Sequence, residues 1–386
     1  MADVVVIGGG PAGLYGSREL ARRGYKVILL EDHRDVGEKV LCTGIIGTPA
    51  FDEFPLPRQT ILGVVRDTRA ISKYGTAVCY RPPQPLAYIV DKRTFNLALA
   101  SSAEEAGVEL RSHSRAEDIL VDDDGAHVVV RHSEGERYTL TAPVVLMACG
   151  VSYSLTSRLG LGRPRDFLHG AQAEVPYLWT SWTEILLDKE ISADAFAWVV
   201  PMTNGWSRVG VMTGRGALAS LHKLLDGMLP EWRHNPDVRM ASKPIAQGLI
   251  NRSYQDRVLV VGEAAGQVKG TTGGGIYFAL LSAHYAVEAI DHAFARGSFS
   301  ARTLARYERA WRAAMGEELW LGYVFRRLYA RLRDEHVDAL LALAAKNGLM
   351  DLIREKADFD WHRDLIVAML KSPSVQKVLL TGLLGL

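Results

Sequence analysis

Short apolar runs recur along the chain, at Val4–Ile7, Val27–Leu30, 143–148 and, opened by Arg257, 257–261. Such a run, bounded by glycine or charge, is the pattern of a strand buried on both faces, as in a parallel sheet covered by other layers. Between the first two runs, Ala12, Leu14, Leu20 and Ala21 offer a packing stripe that Gly24 ends, so the first thirty residues read strand, helix, strand. Residues 32–90 are less regular, with turn signals and short alternating runs. A helix is predicted over 93–106, closed by Gly107. Alternation then takes over at 115–121, 126–131 and 136–140, split by Asp122-Asp123-Asp124-Gly125 and Glu134-Gly135, which predicts a β-meander. Residues 167–215 alternate again. With Trp232 just beyond, this region holds five of the eight tryptophans (Trp179, Trp182, Trp198, Trp206 and Trp232), and it reads as a mixed or antiparallel sheet with one face toward a cavity. From Gly275 onward nearly everything reads as helix. No internal repeat or low-complexity linker interrupts the 386 residues.

Composition narrows the class. With 48% hydrophobic and 23% charged residues the chain has material for a sizeable core, and disordered or collagen-like readings fall away. Lys+Arg is 45 against 44 Asp+Glu, a net charge of +1, so no global attraction to nucleic acid is expected. Cys42, Cys79 and Cys149 are too few and too scattered for a disulfide framework or a zinc site. They fit a reducing compartment, and a cytoplasmic location is expected. No stretch approaches the roughly 18–20 apolar residues that span a bilayer, and no signal-like segment opens the sequence. No Ser/His/Asp triad and no metal-spaced histidine cluster stands out, so no metal is expected.

The chemistry begins at Gly8-Gly9-Gly10-Pro11-Ala12-Gly13, a G-x-G-x-x-G element lying after a strand and opening a helix. Gly8 permits the tight turn, Gly10 lets the backbone approach a pyrophosphate, and Gly13 allows close helix–strand packing. The helix start offers unpaired N–H groups to phosphate. Glu31 lies 23 residues after Gly8, at the end of the second strand, where a carboxylate accepts ribose hydroxyls and repels a 2′-phosphate. FAD or NAD is therefore favoured over NADP. Far downstream, the 257–261 strand runs into Gly262-Glu263-Ala264-Ala265-Gly266, and Thr271-Thr272-Gly273-Gly274-Gly275-Ile276 opens another helix. These small residues suit an extended cofactor, and a helix start there would aim N–H groups at the reduced isoalloxazine, tuning its potential.

Residues 1–45, 91–107 and 255–280 resemble the FAD-dependent geranylgeranyl reductase family, within the larger flavoprotein class that includes aromatic-ring hydroxylases. The resemblance is carried by Gly8–Gly13 with Glu31, by Glu38-Lys39-Val40-Leu41-Cys42-Thr43-Gly44, and by the stretch from Gly262 to Ile276. It implies FAD as cofactor, reduction of isolated C=C bonds in polyprenyl chains of lipids, quinones or pigments, and cofactor contacts from Lys39, Val40, Cys42 and the Asp91-x-Arg93 element. Cys42 matches a cysteine close to the flavin, a candidate proton donor or a packing residue. A substrate-cavity motif similar to P-x-x-Y-x-W-x-F-P aligns with 193–201. Trp198 and Pro201 match, while Ala193, Phe196 and Val200 depart from it. Alternation puts 196, 198 and 200 on one face, more apolar than the motif. Glu263 replaces a usual Asp, Gly270 a usual Pro, and Cys149 an acid.

The expected fold is α/β. A Rossmann-like FAD-binding domain is assembled from 1–60, 91–165 and 250–298; a β-rich substrate or cap domain comes from 61–90 and 166–249; a C-terminal helical region covers 299–386. An unactivated alkene must receive a hydride from flavin N5 and a proton, so positioning in a dry tunnel is the main task of the protein. Trp179, Phe196, Trp198, Val200 and Pro201 are the candidate substrate wall, with Trp182 and Trp206 as further candidates; the same aromatic stripe is also what an ordinary core uses. No second G-x-G-x-x-G exists, so an external donor, NAD(P)H or reduced ferredoxin, is expected. Leu321, Val324, Phe325, Leu328, Tyr329 and Leu332 share one helix face with Arg326, Arg327, Arg331 and Arg333 opposite, which suits peripheral contact with an anionic membrane or packing on the protein's own domain. Three alternatives stay open: a flavin monooxygenase, a redox-neutral FAD-dependent cyclase, and a non-catalytic isoprenoid-binding flavoprotein.

Overall fold

A computed structural model describes residues 1–38, 42–203, 205–346 and 349–384. The apolar runs form the centre of a six-stranded sheet. Val4–Ile7 lies between Val27–Leu30 and Val144–Met147, all parallel and in register from Val4↔Val27 and Val4↔Val144. Val258–Val260 and Glu109–Arg111 extend it on either side, and Tyr254–Gln255 closes one edge antiparallel. Side chains alternate between two cores. Val4 and Val6 pack with the helices Pro11–Arg22, Lys92–Glu105 and Ile276–Arg296, whereas Val5 and Ile7 pack with Ile119, Val128 and Val130 of the meander. Both faces are thus covered, which is why these strands carry no polar positions. The meander itself is Ser114–Val121, Ala126–His132 and Arg137–Ala142, with the middle strand central.

The second large sheet has seven strands, in the order Arg239–Gln247, Asp166–Val175, Ser207–Thr213, Phe196–Pro201, Thr183–Leu187, Thr68–Ser72 and Ala77–Tyr80. One face carries Ala171, Ala173, Ala197, Val199, Val209 and Val211, and the helix Ala217–Met228 seals it with Leu221, Leu224 and Leu225. The other face looks toward the glycine loops. Segment 61–90 is shared between sheets: Thr68–Ser72 and Ala77–Tyr80 join the seven strands, while Ile61–Val65 and Ala87–Val90 pair with Ile45–Gly47 in a three-stranded bridge.

The chain from Ile276 onward is helical, as expected, but the face assignment on Glu317–Tyr329 changes. Arg326 is buried at 5% exposure, its guanidinium on Asp166 Oδ2 at 2.9 Å and near the Tyr323 ring, because Asp166 from the large sheet packs against this helix. Val324, from the face expected to meet either a membrane or the protein's own domain, is exposed beside Trp320 and Arg327. The helical wheel alone could not locate the neighbouring sheet. Among the described residues no helix is long and apolar enough to cross a membrane.

Candidate functional site

One cavity of about 790 Å³ runs between the two large sheets. At its first end the strand Val4–Ile7 turns sharply at Gly8, whose φ of +107° suits glycine. A Cβ on Gly13 would lie 2.0 Å from the Gly8 carbonyl oxygen, so the helix start can approach only as glycine. Gly10 differs: a Cβ there would meet nothing within 4 Å, because its backbone borders the open cavity. The helix Pro11–Arg22 begins with proline and has no side-chain cap and no acidic residue in its first turn, leaving first-turn amides free for an anion. Gly8, Gly10, Pro11 and Ala12 line the cavity; Gly13 lies behind them in the packing layer.

Glu31 closes this end. It is buried; Oε2 accepts the Gly9 amide at 2.8 Å, and Oε1 accepts from the backbone N (3.0 Å) and lies 2.7 Å from Nδ1 of His33. Burial, followed by the neighbouring Asp32, raises its pKa above the usual carboxylate value. Groups that hydrogen-bond the carboxylate therefore stabilise the charged form there. Asp32 and His33 border the same space.

Further along the wall Cys42 faces the cavity, and its Sγ accepts from the Gly44 amide at 3.3 Å. Lys39 and Val40 lie outside the described residues. The Cys42 turn is held from across the molecule by Arg208, a buried residue of the large sheet. Its Nη1 donates to the carbonyls of Thr43 (2.6 Å) and Val90 (3.1 Å), and its Nε to Glu174 at 2.8 Å. Gly44 must be glycine here: φ is +73°, and a Cβ would meet the Val90 oxygen at 2.4 Å.

Arg93 is not on the cavity wall; it is more than half exposed and pairs with Asp35 at 2.8 Å. The residue of this element that does line the cavity is its neighbour Lys92, one of several cations on the wall; its ammonium donates to Asn96 Oδ1, while Asn96 Nδ2 donates to the Val36 carbonyl at 2.8 Å. Burial lowers Lys92 to about 8, with the nearby Cys42 acting in the opposite sense. The signal for Lys92 was available: Asp91 caps the helix by accepting the Thr94 amide at 2.6 Å, so position 92 starts the helix and 96 falls one turn on.

At the other end Gly262, Glu263, Gly273, Gly274, Gly275 and Ile276 all line the cavity. Gly262 takes φ +63°, and its amide donates to Gln267 Oε1 at 2.7 Å. The longer Glu263 carboxylate reaches Lys243 of the large sheet at 3.4 Å, and Tyr153 OH donates to the Glu263 carbonyl at 3.0 Å. Gly270 is explained by a close approach, since any Cβ would sit 2.5 Å from the Tyr323 amide nitrogen. The helix Ile276–Arg296 starts uncapped at Gly275, again leaving amides free.

The roof is the large sheet. Phe196, Trp198 and Val200 share the cavity face with Met212, Gln172 and Ile185. Pro201, at the strand end, does not reach it. Trp179 packs against the opposite core with Tyr177, and Trp182 lies under Arg81, ring to guanidinium 4.5 Å, in a separate small pocket with Cys79 and Met350. Trp206 is also off the cavity wall.

Sequence reasoning missed a strap. Ala357, Asp358, Phe359 and His362 border the cavity from the C-terminal region. Asp360 is buried with Lys269 (Oδ1–Nζ 2.8 Å); His362 Nδ1 meets Thr271 Oγ1 at 2.6 Å; Glu318 accepts the amides of His362 and Arg363 at 2.8 and 2.7 Å. Burial, followed by the Lys269 charge, lowers His362 to about 3, while burial raises Glu318. The strap therefore pins the 269–275 loop. Its only sequence trace is the acidic and aromatic run Asp358-Phe359-Asp360-Trp361 between two helices.

Residues 3–151 match the model of the family described as FAD dependent oxidoreductase. The chain is 31% identical to digeranylgeranylglycerophospholipid reductase 2 of Methanothermobacter thermautotrophicus, over 88% of this chain and 90% of the relative. The chain belongs to the FAD-dependent geranylgeranyl reductase family. Its fold is similar to that of a geranylgeranyl bacteriochlorophyll reductase-like protein from Thermoplasma acidophilum (TM-score 0.86, 20% identity, 98% of both chains). It is also similar to that of p-nitrophenol 4-monooxygenase from Pseudomonas putida (TM-score 0.74, 20% identity, 92% of this chain and 96% of that one). As a member of the geranylgeranyl reductase family this protein is an FAD-dependent oxidoreductase. Its residues suit the cofactor: open space beside Gly10, two uncapped helix starts facing one cavity, and the buried carboxylate of Glu31 beside the first glycine loop.

Proposed function

We propose that this protein reduces isolated C=C bonds of a polyprenyl lipid chain. The observation that carries the reading is the single cavity joining the glycine loops to the apolar sheet face of Phe196, Trp198, Val200 and Met212, in a member of this family. Bound FAD supplies the hydride. The residues of the chain do the rest. Gly10 and the start of the helix Pro11–Arg22 hold the pyrophosphate, and Glu31 takes the ribose hydroxyls. Lys92 gives positive charge to the wall near Cys42, and the loop Gly273–Ile276 would offer its free amides to the flavin. The sheet face and the strap exclude water and align a chain that offers no carbonyl to polarise. We assign proton delivery to Cys42, which borders the cavity, accepts the Gly44 amide and sits in the turn that Arg208 supports.

The absence of a second dinucleotide motif in the sequence supports an external donor, NAD(P)H or reduced ferredoxin. A cytoplasmic protein working at the inner membrane face accords with Trp320 (60% exposed) and Val324 beside Arg327 on one helix face. Anaerobic stopped-flow mixing of the reduced holoprotein with a prenyl lipid tests the proposal. Oxidised-flavin absorbance should return on mixing. Reoxidation only by oxygen, with peroxide or a hydroxylated product, would place the protein with the monooxygenases instead.

A further inference from the structure

A second cavity, about 290 Å³, abuts the first at the free edge of the seven-stranded sheet, where Ala77–Tyr80 is the last strand. Three separate segments join the two. Tyr80, Thr183 and Ala357 line the large cavity, while Arg81, Trp182 and Arg354, no more than three residues away along each segment, line the small one. The large cavity reaches this edge along one transverse row of the sheet. Val200 pairs with Arg208, and the Glu184↔Val199 register continued by one residue sets Thr183 opposite Val200. The pairs Thr183↔Thr68 and Thr68↔Tyr80 complete the row. Val200, Thr183, Thr68 and Tyr80 therefore face the same way, and all four line the large cavity. At about 4.8 Å per strand, Val200 and Tyr80 lie roughly 14 Å apart. Next to Val200, at the inner end, stands Arg208, which holds the Cys42 turn.

The small cavity has the chemistry of an anion site. Among the described residues its lining holds two arginines, Arg81 and Arg354, and no carboxylate. The Arg81 guanidinium lies 4.5 Å over the Trp182 ring, which steadies it and leaves its N–H edge free. Asp67 is 3.4 Å from Arg81, and Asp351 is 2.8 Å from Arg354, but both arginines are more than half exposed, so these pairs are weak enough for a phosphate to displace. Arg69, also near Trp182, is committed to the buried Glu184. We propose that this outer chamber binds the phosphate of a prenyl phosphate ester. Arg81 and Arg354 take its oxygens, and the chain runs inward beneath Tyr80, Thr68, Thr183 and Val200 to the Cys42 turn. The proposal rests on the prenyl-lipid reading and deepens it by giving the chain a direction. Successive isoprene units look alike to an apolar wall, whereas a phosphate fixed at the sheet edge sets the register. The C=C bonds nearest the phosphate stay under the row, and those farther out meet the flavin.

The test is ligand binding to the oxidised, FAD-loaded protein at low ionic strength, read by perturbation of the flavin spectrum, with a C20 prenyl monophosphate and the C20 prenyl alcohol. The wild type should bind the phosphate at least tenfold more tightly. Arg81→Gln and Arg354→Gln should each lose about tenfold for the phosphate and hold the alcohol within twofold. Arg137→Gln, on the meander, should change neither. Cys79, exposed in the small cavity, reports occupancy directly: its alkylation by iodoacetamide should slow severalfold with the prenyl phosphate and not with the alcohol. Inorganic phosphate separates the two sources of the anion. It should compete weakly with the prenyl phosphate; tight binding of inorganic phosphate that the prenyl phosphate does not displace marks a site for the free ion and overturns the proposal. Equal affinity for both probes, an equal loss in Arg137→Gln, a uniform loss for both probes in the variants, or unslowed alkylation of Cys79 overturns it too. An unchanged flavin spectrum and melting temperature verify each variant's fold. Because no turnover is involved, a failure of the reductase reading would appear separately, as no hydrogen gained by any prenyl chain.

Discussion

Asp360→Ala should loosen the strap over the flavin-facing loop without unfolding the protein. Asp360 and Lys269 are 4% and 5% exposed, with Oδ1 and Nζ 2.8 Å apart, so the ammonium loses a fully desolvated counter-charge. Removing one partner of such a pair costs about 3–5 kcal/mol, because the remaining charge stays buried. Lys269 keeps the Phe359 carbonyl at 2.9 Å and the Phe359 ring at 4.6 Å, which argues for the lower end. About 3 kcal/mol is more than a hundredfold in the opening equilibrium, since each 1.4 kcal/mol is tenfold. Hydrogen exchange reads it directly at the amides of His362 and Arg363, which donate to Glu318. Replacing both residues, Lys269→Met with Asp360→Leu, should restore most of the protection. Exchange within threefold of wild type in Asp360→Ala would refute the claim that this pair holds the strap.

Acid should act on the same element through His362. Its folded pKa, about 3, lies below the ordinary value of 6.5, so its contribution is complete above pH 6.5 and is lost as pH falls toward 3. By pH 5 this amounts to about 2 kcal/mol at 1.36 kcal/mol per unit. Glu318, with its pKa raised by burial, works in the opposite sense within the carboxylate range. Melting temperature against pH should show the decline, and His362→Gln should flatten it. Gly10→Ala should leave the fold intact, since its Cβ meets nothing within 4 Å, yet weaken FAD binding at least tenfold; equal FAD affinity would remove Gly10 from the cofactor contact. Arg208→Met should lower turnover while FAD remains bound, because the Thr43 and Val90 carbonyls lose their shared donor and the Cys42 turn loosens. Wild-type turnover would show that the turn holds itself.

The parts legible in the sequence were those written locally. Val4–Ile7, Gly8–Gly13 and Glu31 carry strand, turn and acid within 31 residues, and alternation alone placed Phe196, Trp198 and Val200 on one face. What escaped depends on contacts between distant segments. Arg326 reads as a solvent-facing arginine until Asp166, 160 residues away in sequence, packs beside it. The Asp360–Lys269 pair spans 91 residues, and neither partner has a local reason to be buried. Arg93 and Lys92 are neighbours on a helix start, and only the position of the cavity separates the surface ion pair from the wall. Neither Gly210 nor Gly270 has a positive φ to explain it; a tryptophan ring and a helix backbone do.

The central claim is that hydrogen passes from the reduced cofactor to an isolated C=C bond of a prenyl chain lying in this cavity. Mass spectrometry of a prenyl glycerophospholipid incubated anaerobically with the dithionite-reduced holoprotein tests it most directly. A product heavier by two hydrogens per turnover, absent with FAD and dithionite alone, is the predicted result. An unchanged lipid across prenyl lipids, quinones and alcohols, with the flavin remaining reduced, would contradict it.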